Sequence, residues 1–263
     1  MKTTRDISMN RNKLGFLLLS TIMLSSITFS SLASQTRFFS GKAYDAKTQA
    51  YLYSEDHLLK EESGETSMTS RYRNPESEVI AEKVVRFEQG RVTEIEFQQN
   101  KIGVARKLVR GLSSISYSST KDNKTSNKEF ALNPNKEVIL DAGLFAVVDR
   151  NWQALLGGEK VKFDLAMPTN KRTISMEVSR SSMVDSTASK IMKSDNMVLL
   201  SLNIKNRLLR WLAPTIELAY YEDTKQLAFY KGPSNLTEED GKTMRPIYVV
   251  YERSEKTSSK TSN

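Results

Sequence analysis

The stretch SEVIAEKVVRFEQGRVTEIEFQQ, residues 77–99, decides the fold class. In its first half Val79, Ala81, Lys83 and Val85 fall on one side of an extended chain, and Ile80, Glu82, Val84 and Arg86 on the other. In its second half Val92, Glu94 and Glu96 oppose Thr93, Ile95 and Phe97. Between the runs, Gln89, Gly90 and Arg91 form a short, glycine-centred connection. Period-two alternation on both sides of a tight turn predicts an antiparallel hairpin.

The same pattern extends in both directions. Upstream, TRFFSGKAY (36–44) turns at residues 45–48 into QAYLYSEDHLLKEE (49–62), where Tyr51, Tyr53, Glu55 and His57 share one side by alternation. Downstream, KVKFDLAMP puts Val161, Phe163, Leu165 and Met167 on one face, and RTISMEVSR does the same with Ile174, Met176 and Val178. MVLLSLNIK (197–205), a hairpin over 215–232 turning at Glu222 to Lys225, and PIYVVYER (246–253) complete the series. Two segments read differently. Residues 101–128 carry Lys101, Arg106, Lys107, Arg110, Lys121, Lys124 and Lys128 against Asp122 alone, and are expected to be an exposed basic segment ending in a polar loop. From Asp141 to Gly158 the period is helical: Leu144, Val147, Val148, Trp152 and Leu155 form a stripe, Asp141 is placed to cap it, and Gly157 and Gly158 stop it. The expected fold is mainly β within the α+β class: a curved antiparallel sheet or half-barrel of about ten strands packed on one helix. Residues 34–251 are expected to form a single β-rich domain, with 252–263 a disordered tail.

The start of the chain carries an address. Lys2, Arg5, Arg11 and Lys13 precede an uncharged run from Leu14 to Phe29, which Ser and Thr dilute. That run is shorter than the ~20 apolar residues of a spanning helix, and Ser31 and Ala33 place small side chains where a signal peptidase reads them. Residues 1–33 are therefore expected to be a signal peptide, helical in its apolar part, cut between Ala33 and Ser34, with the product delivered to a periplasm. No cysteine follows to take a lipid anchor.

Composition excludes several chemistries. The whole chain has a formal charge of +8; because residues 1–33 hold four of the basic residues and one of the acidic ones, the remainder falls to +5. Without cysteine there is no disulfide framework, thiolate metal site or cysteine nucleophile, so packing must hold the fold. The single histidine, His57, rules out HExxH and every two-histidine site. No glycine-rich phosphate loop, EF-hand loop or GxSxG elbow occurs. No cofactor or metal is expected.

FSGKAYDAKTQAYLYSEDH (39–57), RYRNPESEVIAEK (71–83) and IELAYYEDTKQLAFYKGPSNLTEEDGK (216–242) resemble an uncharacterised family of exported gammaproteobacterial proteins. That resemblance implies export and assigns no activity. The strand pattern is similar, more loosely, to the half-barrels of periplasmic lipoprotein carriers, which implies an apolar ligand on a curved sheet; no motif transfers residue by residue.

Three candidate sites follow. Glu55 and His57 on one face would let a carboxylate orient a general base for a serine elsewhere in the fold, against the plainer reading of a half-exposed strand histidine. Tyr51, Tyr53, Tyr220 and Phe229 could line a cavity for an apolar ligand, although aromatic residues are also ordinary sheet packing. Lys101, Arg106, Lys107 and Arg110 could meet an anionic envelope surface, with a solvated loop as the alternative; export argues against nucleic acid. A non-enzymatic binding or envelope-associated role comes first, a lipid carrier second and a hydrolase third.

Overall fold

A computed structural model describes residues 35–62, 64–167, 173–182, 186–192, 196–206, 215–238 and 246–253. The signal segment, its helix, its Ala33–Ser34 cleavage point and most of the tail lie outside those residues.

The described residues form one open, mainly β sheet of fifteen strands rather than ten. Its first half is a meander: β1 (Gln35–Asp45), β2 (Tyr51–Glu62), β3 (Glu65–Arg73), β4 (Val79–Glu88), β5 (Arg91–Gln99), β6 (Val104–Arg110), β7 (Ser114–Lys121) and β8 (Lys124–Ala131). The second half runs β9 (Val138–Leu140), β10 (Val161–Ala166), β11 (Thr173–Arg180), β12 (Met197–Ile204), β13 (Ile216–Tyr221), β14 (Leu227–Gly232) and β15 (Ile247–Tyr251). The halves join where β1 pairs with β15, so the spatial order is β8 down to β1, then β15 down to β9. Every pairing is antiparallel except that of β9 with β10, because the helical segment between them carries the chain back to the same end.

The 77–99 hairpin forms as β4 and β5. Gln89 and Gly90 both take positive φ, the conformation a two-residue connection needs to match strand twist. A bulge between Arg86 and Phe87 slips the register, so Val92 joins Ile95 and Phe97 on the buried face and Glu94 and Glu96 stay outside.

Segment 101–128 is not a loop but β6, β7 and the start of β8. Alternation buries Val104 and Leu108, then Ile115 and Tyr117, against the core. Polar residues on the other face hid the strands, and β8 is exposed along nearly its whole length.

The predicted helix is split into a 3-10 turn at Asp141–Gly143, α1 (Leu144–Arg150) and α2 (Trp152–Leu156), with a short α3 (Thr187–Met192) elsewhere. Asn151 interrupts it, its side-chain amide bonding back to Val147 O at 2.8 Å. The stripe lands as expected: Val147, Val148, Trp152 and Leu155 pack on Phe163, Leu165, Val178, Leu200 and Leu218 of β10–β13. Asp141 does not cap, since its carboxylate is turned to Lys83 instead.

The two halves of the sheet meet through β9. Val138 and Leu140 pack among Val85, Val92, Ile95 and Leu108 of β4–β6, and Arg110 Nη1 donates to Val138 O at 2.6 Å. The sheet thus curls onto its own inner face without closing a ladder between β5 and β9. On the outer face α3 covers β12–β15 with Ala188, tied down by Glu217, which accepts from Thr187 N and Lys231 Nζ.

Candidate functional site: a buried polar row and a cationic cleft

Strand register brings polar side chains together inside the curl. His57 on β2 pairs with Phe39 on β1 and Ser70 on β3, and Ser70 with Lys83 on β4. In the adjacent row Glu55 pairs with Gly41 on one side and Tyr72 on the other, and Gly41 in turn pairs with Tyr251. Gly41 matters because a Cβ there would lie 2.8 Å from Tyr251 Cδ1. Its bare backbone lets Tyr251 reach across β1 and donate its hydroxyl hydrogen to Glu55 Oε1.

Glu55, His57 and Ser70 lie next to one another in these rows. His57 Nδ1 is 2.7 Å from Ser70 Oγ, and its Nε2 is 3.4 Å from Glu55 Oε1, not aligned as a hydrogen bond. Phe39 stacks on the imidazole at 4.6 Å. Beyond the serine, Lys83 Nζ donates to Asp141 Oδ2 at 3.1 Å, and Tyr53 OH lies 3.2 Å from Ser234 Oγ. His57 is buried, not half-exposed, and Ser70 has 0% exposure. A serine nucleophile needs a site about 3 Å away for the reacting atom. Packing around Ser70 denies it solvent, and the row is a buried polar core in which His57 Nε2 has no hydrogen-bond partner among the described residues.

Burial pushes the Glu55 carboxyl up, but His57, the Tyr251 hydrogen bond and Lys83 outweigh it and hold the group below its ordinary value of 4.5. A depressed carboxyl contributes stability above its unfolded value, which is lost as pH falls through the folded one. Unfolding midpoints of wild type and Glu55→Gln are therefore expected to differ at neutral pH and converge below pH 4.5. Parallel curves would contradict this assignment.

The four proposed aromatic ligand contacts do not meet. Tyr53 and Tyr220 are inward but in separate clusters, and Phe229 lies on the outer face with Tyr248. Tyr51 was expected beside Tyr53, Glu55 and His57. A bulge between Ala43 and Tyr44 pairs Tyr44 with Tyr51, and turns Tyr51 outward against Tyr44.

The four basic residues are likewise divided by the pleat of β6. Arg106 and Arg110 point inward: Arg106 Nη2 donates to Thr237 Oγ1 at 2.7 Å and its guanidinium lies 5.6 Å from the Phe97 ring centre. Lys107 points outward and is neutralised by Glu96 at 2.7 Å and Glu94 at 3.3 Å. Lys101 sits in the turn before β6.

Arg110 instead belongs to a different grouping. Between the β4–β5 turn, the end of β6, the loop before β9 and α1 lies a cleft of about 740 Å³. Its lining is mostly polar, with Val92, Leu132, Val138 and Leu140 among its apolar residues and Arg91, Arg110, Lys136, Glu137 and Arg150 supplying its charges. Arg150 pairs with Glu137, and Lys136 with Asp164 at 3.1 Å. The Arg91 guanidinium is exposed, with no partner among the described residues. Burial, then the Arg91 cation, lowers the proton affinity of Arg110, with Glu137 opposing them in part. Sequence reading missed Ser70, Lys83, Tyr251, Arg91 and Arg150. Lys83 alone left a signal, a cation in the apolar half of an alternation.

Among the described residues no group of three His, Asp or Glu is placed to hold a metal ion, and no helix is long and apolar enough to cross a membrane. No protein-family model matches the chain, and no curated protein matches it. A solved structure, a beta-barrel-like protein of domain of unknown function DUF1849 from Brucella abortus, is similar over 83% of this chain and 97% of its own, at 8% identity and a TM-score of 0.39.

Proposed function

We propose that the chain is an exported, non-enzymatic binding protein of the bacterial envelope, cut between Ala33 and Ser34, which holds its ligand in the cleft beside β9. The single observation that carries this reading is the cleft: several guanidinium groups gathered over buried apolar side chains, where β9 packs on the inner face of β4–β6 without a ladder. Two further features support it. The concave face that an acyl carrier would leave empty is filled by packed side chains, and the only imidazole and its serine are sealed. The segment resemblance to exported proteins agrees with the charged and apolar start of the chain.

Native mass spectrometry of protein recovered from the periplasm tests both parts. The mass should correspond to a chain beginning at Ser34, carrying a non-covalent adduct. Ala146→Trp, at a partly exposed cleft residue, should fill the space and abolish the adduct while leaving the fold intact. An adduct retained by Ala146→Trp would rule out the cleft, and a mass matching residues 1–263 would rule out cleavage.

A further inference from the structure

The charges of the cleft do not balance. Glu137 pairs with Arg150 and also favours the Arg110 cation, and Asp164 answers Lys136, so the cleft keeps an excess of positive charge at Arg91 and Arg110. Arg110 spends one N–H on Val138 O and keeps the rest of its fork, while Arg91 is committed to nothing among the described residues. Both line the same cleft, and like charges gathered on one surface repel each other unless an anion lies between them. A guanidinium fork matches the oxygens of a carboxylate or a phosphate two at a time, and two forks match a dianion in charge as well as shape.

We infer that the cleft binds a phosphate dianion, free or as the monoester of a larger ligand, between Arg91 and Arg110. This rests on the reading of the cleft as the ligand site and names the chemistry of what it takes. The anchoring is uneven by construction. Arg110 is held by β9 and is half-buried, so it presents a fixed fork, whereas Arg91 at the start of β5 is exposed at the cleft's edge. The second ionisation of a phosphate lies near pH 6, so affinity rises as pH climbs through that value, which a carboxylate ligand would not reproduce.

Titration calorimetry on the full exported chain with inorganic phosphate and with phenyl phosphate, and sedimentation with phosphatidylcholine vesicles containing phosphatidic acid, test the inference. At least one probe should bind, more tightly at pH 7 than at pH 5, and Arg91→Gln and Arg110→Gln should each weaken it about tenfold or more. Arg91 is exposed and unpartnered, so its replacement leaves the fold intact even where Arg110→Gln, which loses the bond to Val138 O, does not. Lys101→Gln and Lys107→Gln should bind as wild type. Binding of the soluble probes assigns the site to a free phosphate or soluble ester, and binding of the vesicles alone assigns it to a lipid headgroup. Wild-type affinity in Arg91→Gln, or no binding of any probe, overturns the inference. If Ala146→Trp removes the native adduct in that case, the cleft stands as the ligand site and only its phosphate chemistry falls.

Discussion

Replacing Lys83 by methionine is expected to lower the unfolding free energy by about 3–5 kcal/mol, the usual cost of stranding one member of a buried ion pair. Lys83 and Asp141 keep only 8% and 16% of their side-chain surface, and the pair joins β4 to the turn that opens the helical segment. Burial acts to lower the lysine pKa, but the Asp141 charge and hydrogen bond reverse it and carry the group above its ordinary 10.5. A raised lysine contributes its full stability below the unfolded value and loses it only as pH climbs through the folded one, so neutral pH shows the whole effect. The double variant Lys83→Met/Asp141→Leu, which removes both charges, should recover much of the loss. Urea unfolding of the four proteins decides. A loss below about 1 kcal/mol in the single variant, or strict additivity in the cycle, would show that the pair is solvated.

Alkaline pH is expected to unfold the protein cooperatively, with tyrosine ionisation as part of the same event. Tyr53, Tyr72, Tyr220, Tyr230 and Tyr251 are all raised above 10.0, chiefly by burial. Tyr72 is pushed to about 12, burial together with the Glu55 and Asp141 charges outweighing the opposing Lys83 cation. In each case the fold favours the neutral phenol: its stability is intact below pH 10, and lost as pH rises from there through the folded value. Tyrosinate absorbance should therefore lag behind that of the denatured chain and then rise together with loss of circular dichroism. Tyr72→Phe should lose less stability than wild type between pH 10 and pH 12. Gradual ionisation of the buried phenols in a folded protein would contradict the burial on which this depends.

The sequence alone separated β from α correctly where one face is wet. Val161, Phe163 and Leu165, or Ile174, Met176 and Val178, alternate because their strands have one face in the core, and the 144–155 stripe is helical for the same reason. It failed where that contrast is absent. Strand β8 is exposed on both faces, so no period marks it, and the polar outer face of β6 and β7 made strands read as a basic loop. Bulges were equally invisible. One extra residue at the β1–β2 turn carried Tyr51 to the face opposite Tyr53, because a slip of one residue exchanges the faces of a strand. Of the polar row, Glu55 and His57 were legible because they lie two apart on one strand. Ser70, Lys83 and Tyr251 join them only through the register of four further strands and the missing side chain of Gly41.

By itself, then, the sequence determined the mainly β composition of the chain, the helical segment, the exclusion of thiol and two-histidine chemistry, and a charged, apolar start that reads as an export signal. These are properties of neighbours in the chain, fixed by period, composition and short-range sterics. The tertiary structure alone decided that His57 is sealed beside Ser70, that Asp141 answers Lys83 rather than capping a helix, and that Arg91, Arg110 and Arg150 border one cleft. Those meetings depend on how far a fifteen-stranded sheet curls before β9 reaches β5, a sum of twists and bulges that no local pattern encodes.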